Sequence, residues 1–566
     1  MKGMHRSTPT VPLRSPETVM RLARLGSFHQ CRLSFMRTLL RRIKRERWTF
    51  DRPLFDIDEK GVGTAVYSAH GPERSYSLVC FAHDLPADQR SDRVIAEAWD
   101  STFTLFDGVP TEDDIERLSR NVPKQEAGRI SAREISLSRA NRSVRLFDHV
   151  VECLAAGQQP AHGKIEQVGY LMRTTAVYGS GKFGAADREA IKDRPEFKGS
   201  FQAEMLSVFL TRAYVLDLVE HLARSKSPIS AVPIEPALRR RFGVGNSTGL
   251  GMAPFVVNHP MLLNNWIFSR ETALARVRGL AKAEANEIEA FKSMVARAKT
   301  NAEEWSSEHP LQIQKLTRLR TDLSHLQEHV AAGDLGGEMP WDRLYRWAEE
   351  KLSIECQEQL VSLMLEPYGA LVDDLTDDMG ADEDIAFHID GSMTLDALRS
   401  IIDDVYGWAL AIDWTSSESL ARVWYVSEEK LEPRLGERFE EPIEPYEQPL
   451  APGRDAVAMA RSIDIWRGEK TVAAFLLAHP EHRHIARRAQ IAEKFPYAEI
   501  RDNTISSALL PIDLLRCKLS FFGATHFDPR SDRWVRINMF CDAPFPHEVA
   551  MGDGDDWCYP PLTASI

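Results

Sequence analysis

The chain has 566 residues, with 70 Lys or Arg against 83 Asp or Glu and a formal net charge of −13. That length exceeds one ordinary core and predicts two to four structural units. With 43% apolar and 27% charged residues, the composition is that of a soluble globular protein rather than a disordered one, and the acidic balance argues against a general nucleic-acid binder.

No apolar run reaches the length a bilayer demands, and the first residues lack the apolar region of a secretory signal. The seven cysteines, Cys31, Cys80, Cys153, Cys356, Cys517, Cys541 and Cys558, contain no CxxC pair. Sparse thiols in an odd number predict a reduced state and a cytoplasmic location, and their spacing predicts no structural zinc.

Residues 1–15 read as a loose tail. Ser15-Pro16-Glu17 is a helix start, serine as cap and proline at the first position, and the helix is expected to run to about Arg47. Residues 1–50 hold twelve Lys or Arg against Glu17 and Glu46. This basic arm is expected to pack on its own body or a second subunit, with RNA or a membrane surface as the alternative. Leu54–Asp58, Val62–Ala69 and Tyr76–His83 read as strands joined by Glu59-Lys60-Gly61 and His70-Gly71-Pro72, which predicts an antiparallel meander.

A helix is expected over about Ala132 to Ala156, a strand over Val168 to Tyr178, and an amphipathic helix over Gln202–Ser225. From Glu271 to Val330 apolar residues recur three or four apart and break at His309-Pro310, predicting a helical hairpin. Trp341 to Leu375 and Thr394–Ile412 read as helical, Ala421–Val426 as a strand, and Glu428 to Pro452 as an extended crossing segment. Asp373 to Asp384 lacks EF-hand spacing and reads as a solvated acidic loop. Near the C-terminus Lys518–Thr525 and Trp534–Phe540 are strand-like.

The segment Arg239 to Arg270 concentrates the candidate chemistry. Arg239, Arg240 and Arg241 lead into glycines at 243, 245, 249 and 251, interleaved with Asn246, Ser247 and Thr248. Glycines let a loop turn its N–H groups toward an anion, and amides, hydroxyls and arginines add donors. Asn258 and His259 precede Pro260, a helix start that aims them at the same point, with Asn264 and Asn265 one turn on. The spacing is not a dinucleotide fingerprint, because no buried strand precedes it. The bland alternative is a tight connection whose glycines only permit close packing.

Gly179-Ser180-Gly181-Lys182-Phe183-Gly184 is a literal GxGxxG after a strand. The remaining kinase motifs are absent, and Phe183 stands where a Walker loop needs Ser or Thr. The reading is a loop delivering Lys182 to a substrate, flanked by Arg173 and Tyr178, against an ordinary surface turn. His479, His482 and His484 lie within six residues, and His482 and His484 on one face of a strand would suit a metal, but Pro480, Glu481, Arg483, Arg487 and Arg488 read as a surface helix start, so no metal is expected there. His83-Asp84 and Cys541-Asp542 with His547 are weaker acid–base or nucleophile pairs.

The expected fold is α+β and predominantly helical, with antiparallel sheet pieces near the N- and C-terminal parts and a central helical unit containing the hairpin. The expected divisions are a basic arm over 1–50, an α+β unit with the meander over 51–197, a helical unit over 198–370 and an α+β unit over 371–566. The expected function is a cytosolic enzyme acting on a small carboxylated or phosphorylated metabolite. Arg173, Tyr178, Arg240, Gly245, Asn246, Ser247, Thr248, Gly249, Asn258, Asn264 and Asn265 would bind it, with His259 as acid or base and Lys182 as electrostatic partner. No cofactor signature stands out, and homo-oligomerisation is expected. The alternative is a non-catalytic assembly protein that uses the basic arm and hairpin for subunit or nucleic-acid contacts.

Overall fold

The computed structural model describes residues 11–86, 98–124, 130–179, 182–183, 191, 193–199, 201–247, 260–305, 310–333, 335–379, 387–416, 425–427, 432–434, 448–449, 452–501, 511–524, 526–528, 536–551 and 557–558. The strands in chain order are β1 (Thr49–Ile57), β2 (Gly63–His70), β3 (Ser75–Ala82), β4 (Ser101–Asp107), β5 (Glu134–Arg142), β6 (Tyr170–Gly179), β7 (Lys182–Phe183), β8 (Gly243–Ser247), β9 (Tyr425–Ser427), β10 (Glu432–Arg434), β11 (Gln448–Pro449), β12 (His526–Asp528) and β13 (Arg536–Met539). The chain divides into two units. One comprises Met1–Leu33, Gly249–Phe521 and Ser531–Trp534; the other comprises Ser34–Thr248, Phe522–Arg530 and Val535–Ile566.

The second unit is built on one mixed, curled sheet in the order β1-β2-β3-β4-β5-β6-β8-β13-β12, with β7 hairpinned onto β6. The N-terminal meander and the expected strand near Trp534–Phe540 are therefore parts of a single sheet, while β10-β9-β11 form a separate one. Its first half is the expected meander, and turn chemistry sets the register. Asp58 Oδ1 accepts the N–H groups of Lys60 and Val62 at 2.8 and 2.9 Å, and Gly61 takes the positive φ of 81° that the turn requires. Every neighbouring pair from β1 to β6 is antiparallel. The β6·β8 pair is parallel, and β8, β13 and β12 continue antiparallel.

The helix Gln202–Lys226 lies across one face of this sheet. Its Tyr214 hydroxyl meets Ser101 Oγ at 3.0 Å, and Ser207 Oγ meets Ser136 Oγ at 3.0 Å. On the other face Val66, Val79, Phe81, Phe106 and Leu137 form a core with Leu118 and Val122. The expected helix over 132–156 is instead β5 followed by the helix Phe147–Ala155. Ile135 and Leu137 alternate with Ser136 and Ser138, a period of two that belongs to a strand.

In the other unit the basic arm does not form one helix. A turn of helix at Pro16–Val19 and a 3-10 turn at Leu22–Arg24 are followed by irregular chain, and the next helix is Phe35–Glu46, which belongs to the sheet unit. The break has a local cause. A Cβ on Gly26 would stand 2.3 Å from the Arg516 carbonyl oxygen, and the N–H groups of Ser27 and Cys31 bond to Ser520 instead of to a helix.

The helical hairpin is present as Ala285–Glu304 and Pro310–Ala332. Phe291, Val295, Ala298 and Ala302 are buried on one arm, and Leu316, Leu319, Leu323, Leu326 and Val330 on the other. Its first arm starts later than the periodicity implied. Pro260–Arg278 is a separate helix, and Glu284 opens the next with a reciprocal capping box to Glu287. Helices Leu395–Leu410, Pro452–Ile465, Val472–Ala478 and Arg483–Lys494 enclose a further apolar cluster around Ile402, Tyr406, Ala460 and Phe475. The expected strand over 518–525 lies mostly in the helix Pro511–Phe522. Among the described residues no helix is long and apolar enough to cross a membrane.

Charge is buried deep in this unit. Arg14 forks onto Glu271 at 2.7 and 2.8 Å and onto Glu358 at 2.7 and 3.2 Å. Arg270 joins at Glu271, 2.9 Å away, and Arg24 at Glu358, also 2.9 Å away. Burial alone would push the Glu271 carboxyl up, but Arg14 and Arg270 override it and hold the group down to about 2 from an ordinary 4.5.

Two outcomes follow. Gly245 lies against Tyr170, whose Cγ would be 2.6 Å from an added Cβ. Gly245→Ala is expected to cost about 1–3 kcal/mol of stability, whereas Gly163→Ala, in a helix with open space around it, should be neutral or stabilising by up to about 1 kcal/mol. Urea melts of both variants check this. Because the folded pKa of Glu271 is depressed, its contribution is present above pH 4.5 and is lost as pH falls toward 2. It amounts to about 3 kcal/mol. Glu271→Gln should lower stability at neutral pH and flatten the acid limb of a stability–pH profile; an unchanged acid limb would contradict the assignment.

Candidate functional site

The register of the sheet lines up a polar row that no stretch of sequence contains. Asn141 on β5 lies opposite Arg173 on β6, Arg173 opposite Gly245 on β8, and Gly245 opposite Asn538 on β13. The row continues to His526 on β12. The next row reads Ala140, Thr174, Asn246, Ile537. Successive residues of a strand face opposite sides. Arg173, Asn141 and Asn538 therefore share one face of the sheet, while Asn246 and Thr174 share the other.

The two asparagines of the first row are held by backbone groups. Asn141 Oδ1 accepts the N–H of Asp100 at 3.1 Å, which leaves its Nδ2 end as the donor. Asn538 Nδ2 donates to the Val168 carbonyl at 3.2 Å, against the end of the helix His162–Val168. Its Oδ1 is buried with no partner among the described residues. Arg173 is 3% exposed. Gly169, at φ 71°, permits the close approach of Asn538, because a Cβ there would lie 2.0 Å from Nδ2. The row thus sets a guanidinium and two side-chain amides on one buried surface, where electrostatic interactions are stronger than in water.

Arg212 fixes the chain that leads into this row. Its guanidinium is fully buried and donates to the carbonyls of Phe242 at 2.7 Å, Ala543 at 2.7 Å and Arg240 at 2.9 Å. It also lies over the Phe545 ring at 4.0 Å. Burial lowers its pKa to about 10, offset in part by Cys541, Asp542 and Glu548; it stays protonated at neutral pH. One side chain thereby ties the start of β8 to the segment that follows β13.

The expected glycine loop is in its first part a strand. Gly243 to Ser247 form β8, and a Cβ on Gly243 would come within 2.6 Å of the Met539 carbonyl oxygen, so Gly243 and Gly245 serve close packing. The three preceding arginines are ion-paired. Arg239 meets Glu220 at 2.8 Å and Asp217 at 3.2 Å, Arg240 meets Glu548 at 3.1 Å, and Arg241 meets Asp542 at 3.3 Å. Thr248, Gly249, Asn258 and His259 lie outside the described residues, and of Ser247 only the backbone is described.

Tyr178 and Lys182 belong to the β6·β7 hairpin, where Lys182 pairs with Gly179. That is six residues along β6 from Arg173, about 20 Å of strand, so the sheet does not bring Lys182 to the Arg173 row. Asn264 and Asn265 belong to the helical unit. There Asn264 Oδ1 accepts the Tyr497 N–H at 3.1 Å, and its Nδ2 donates to Asn265 Oδ1 at 3.2 Å. The Cys541 thiol donates to the Arg241 carbonyl at 3.1 Å, and His547 stacks on Phe545. His83 meets Thr102 Oγ1 at 3.2 Å, and burial lowers its pKa.

Sequence reading missed Asn141, Asn538 and Arg212. The one local signal is an asparagine inside the apolar strand Ile537-Asn538-Met539. The class defined at this point is an α+β protein whose mixed sheet carries a buried Arg–Asn row. No family model, curated protein or solved structure matches the chain.

Arg212→Met would strip donors from three buried carbonyls, so a loss of about 3 kcal/mol or more is expected. Arg212→Lys, which can reach only part of the set, should fall between. Equilibrium urea unfolding measures both, and a loss under about 1 kcal/mol for Arg212→Met would remove Arg212 as the anchor of β8.

Proposed function

We propose that the chain is a cytosolic enzyme that binds a small anionic metabolite, carboxylated or phosphorylated, on the Asn141–Arg173–Asn538 face of the sheet. The observation that carries this reading is the alignment of a buried guanidinium with two buried amides across three strands drawn from distant parts of the chain. Arg173 would take the anionic group, since a guanidinium matches carboxylate and phosphate geometry. Asn141 would donate beside it. Asn538 Oδ1 would accept from a hydroxyl or amine of the same ligand, which makes a hydroxylated or aminated anion the best fit.

The alternative of an assembly protein with a nucleic-acid arm draws less support. Arg14, Arg24 and Arg32 of the arm face Glu271, Glu358, Glu366 and Asp373. Arg42 spends its guanidinium on the carbonyls of Glu196 and Lys198. Charge neutralised within the fold is not offered to phosphates.

The test is a thermal-shift panel of hydroxy acids, amino acids, sugar phosphates and nucleotides on the full chain. A ligand that binds only the folded state raises Tm with concentration. One anion class should raise Tm for the wild type and for Lys182→Ala, and fail for Arg173→Gln and Asn538→Leu. A shift that survives Arg173→Gln, or none with any anion, would overturn the assignment.

A further inference from the structure

A second cluster, unrelated to the sheet row, lies in the helical unit. The helix Val472–Ala478 ends at His479, whose N–H closes onto the Phe475 carbonyl at 2.8 Å. Pro480 cannot continue it, and the chain makes a 3-10 turn over Pro480–His482 before the helix Arg483–Lys494. That tight turn folds three ligand side chains together. One ligand atom from each of His479, Glu481 and His482 lies within 4.8 Å of the other two.

The separations are close to those of a coordination sphere. His479 Nδ1 is 3.3 Å from Glu481 Oε1, and His482 Nε2 is 3.9 Å from the same oxygen. Zinc bonds to imidazole nitrogen and carboxylate oxygen at about 2.0–2.2 Å, which sets neighbouring tetrahedral ligands about 3.3–3.5 Å apart. One edge already matches, the second is a few tenths of an ångström longer, and the third, between the two imidazoles, lies within 4.8 Å, so a bound ion would draw the three side chains together.

The imidazoles are also held in place. His482 is 7% exposed and lies parallel to the Phe475 ring, with centroids 5.8 Å apart. His479 is set against Trp466 at 5.5 Å and Phe475 at 4.9 Å. Ser462 Oγ is hydrogen-bonded to His482 Nε2 at 3.0 Å, a bond that a metal ion on this nitrogen would replace. His484 takes no part, because its Nδ1 meets the Glu481 carbonyl at 3.0 Å and its Nε2 meets Asp455 at 3.1 Å.

We propose that His479, Glu481 and His482 form a binding site for one divalent cation of the zinc class, with three protein ligands and a fourth position open to water. Two neutral imidazoles and a carboxylate suit zinc, cobalt or nickel and are too nitrogen-rich for magnesium or calcium. The proposal departs from the expectation that the histidine run binds no metal. What the linear sequence hid is the role of Glu481, which the turn brings between the two rings.

The test is a cobalt(II) titration of the full chain after chelation and dialysis, read by visible absorption and by bound metal per chain. One equivalent should bind with ligand-field bands and without the charge-transfer band of a thiolate, which separates this site from any cysteine site. Glu481→Gln and His479→Gln should each weaken binding more than about tenfold, and His484→Gln should leave it unchanged. Both weakening variants sit at accessible positions, and unaltered thermal melts in the absence of metal would show that they fold. The proposal fails if no saturable binding occurs, if the two variants bind like the wild type, or if thiolate absorption appears.

Discussion

The parallel pairing of β6 with β8 is the constraint on which the sheet unit depends. It is the junction between the antiparallel run β1 to β6 and a C-terminal ribbon nearly three hundred residues beyond β8. A parallel neighbour cannot be reached by a hairpin and needs a crossover. Here the crossover contains the helix Gln202–Lys226, which lies on the sheet it connects. Arg212 on that helix then ties the chain entering β8 to the chain leaving β13. The polar row exists only because this junction sets β5, β6, β8 and β13 in one register.

What the sequence disclosed about the fold follows from locality. The meander was legible because its turns carry their own chemistry in Asp58, Gly61 and Gly71. The hairpin helices were legible because their apolar residues repeat on one face. The basic arm was not, because Gly26 is dictated by a carbonyl at Arg516, far away in sequence. For Gly243 and Gly245 the sequence leaves both an anion loop and close packing open, for a related reason. A glycine required by a neighbour's bulk looks the same in sequence as one required by a turn. Of the candidate site, Arg173 and Gly245 were visible as residues, but Asn141 and Asn538 acquire meaning only through strand register.

The helical unit organises charge differently. Two arginines and two glutamates are buried together, with Arg24 half-buried beside them, and removing any one of the four would leave a charge in a medium that tolerates it poorly. Such a network is weak evidence of extra stability over an apolar core of the same shape. It does restrict the arrangement of the segment around Arg14 to one in which both carboxylates are met. That restriction explains why an arm so rich in cations folds into the body: its partners are Glu271, Glu358 and Asp373, dispersed across a unit whose acidity reads in the sequence only as an overall excess.

The position of β13 also bears on synthesis. β8 has β6 on one side and β13 on the other, yet the ribosome finishes β8 roughly three hundred codons before it reaches β13. Throughout that interval one edge of β8 has no strand to pair with, and a bare edge can recruit strands from other chains. The nascent protein must keep that edge covered, by a chaperone or by transient packing of its own later helices. Slow translation between the codons for Ser247 and Arg536 would lengthen the exposure, so yield in a heterologous host should depend on codon usage in a stretch that contributes no strand to the sheet except its last.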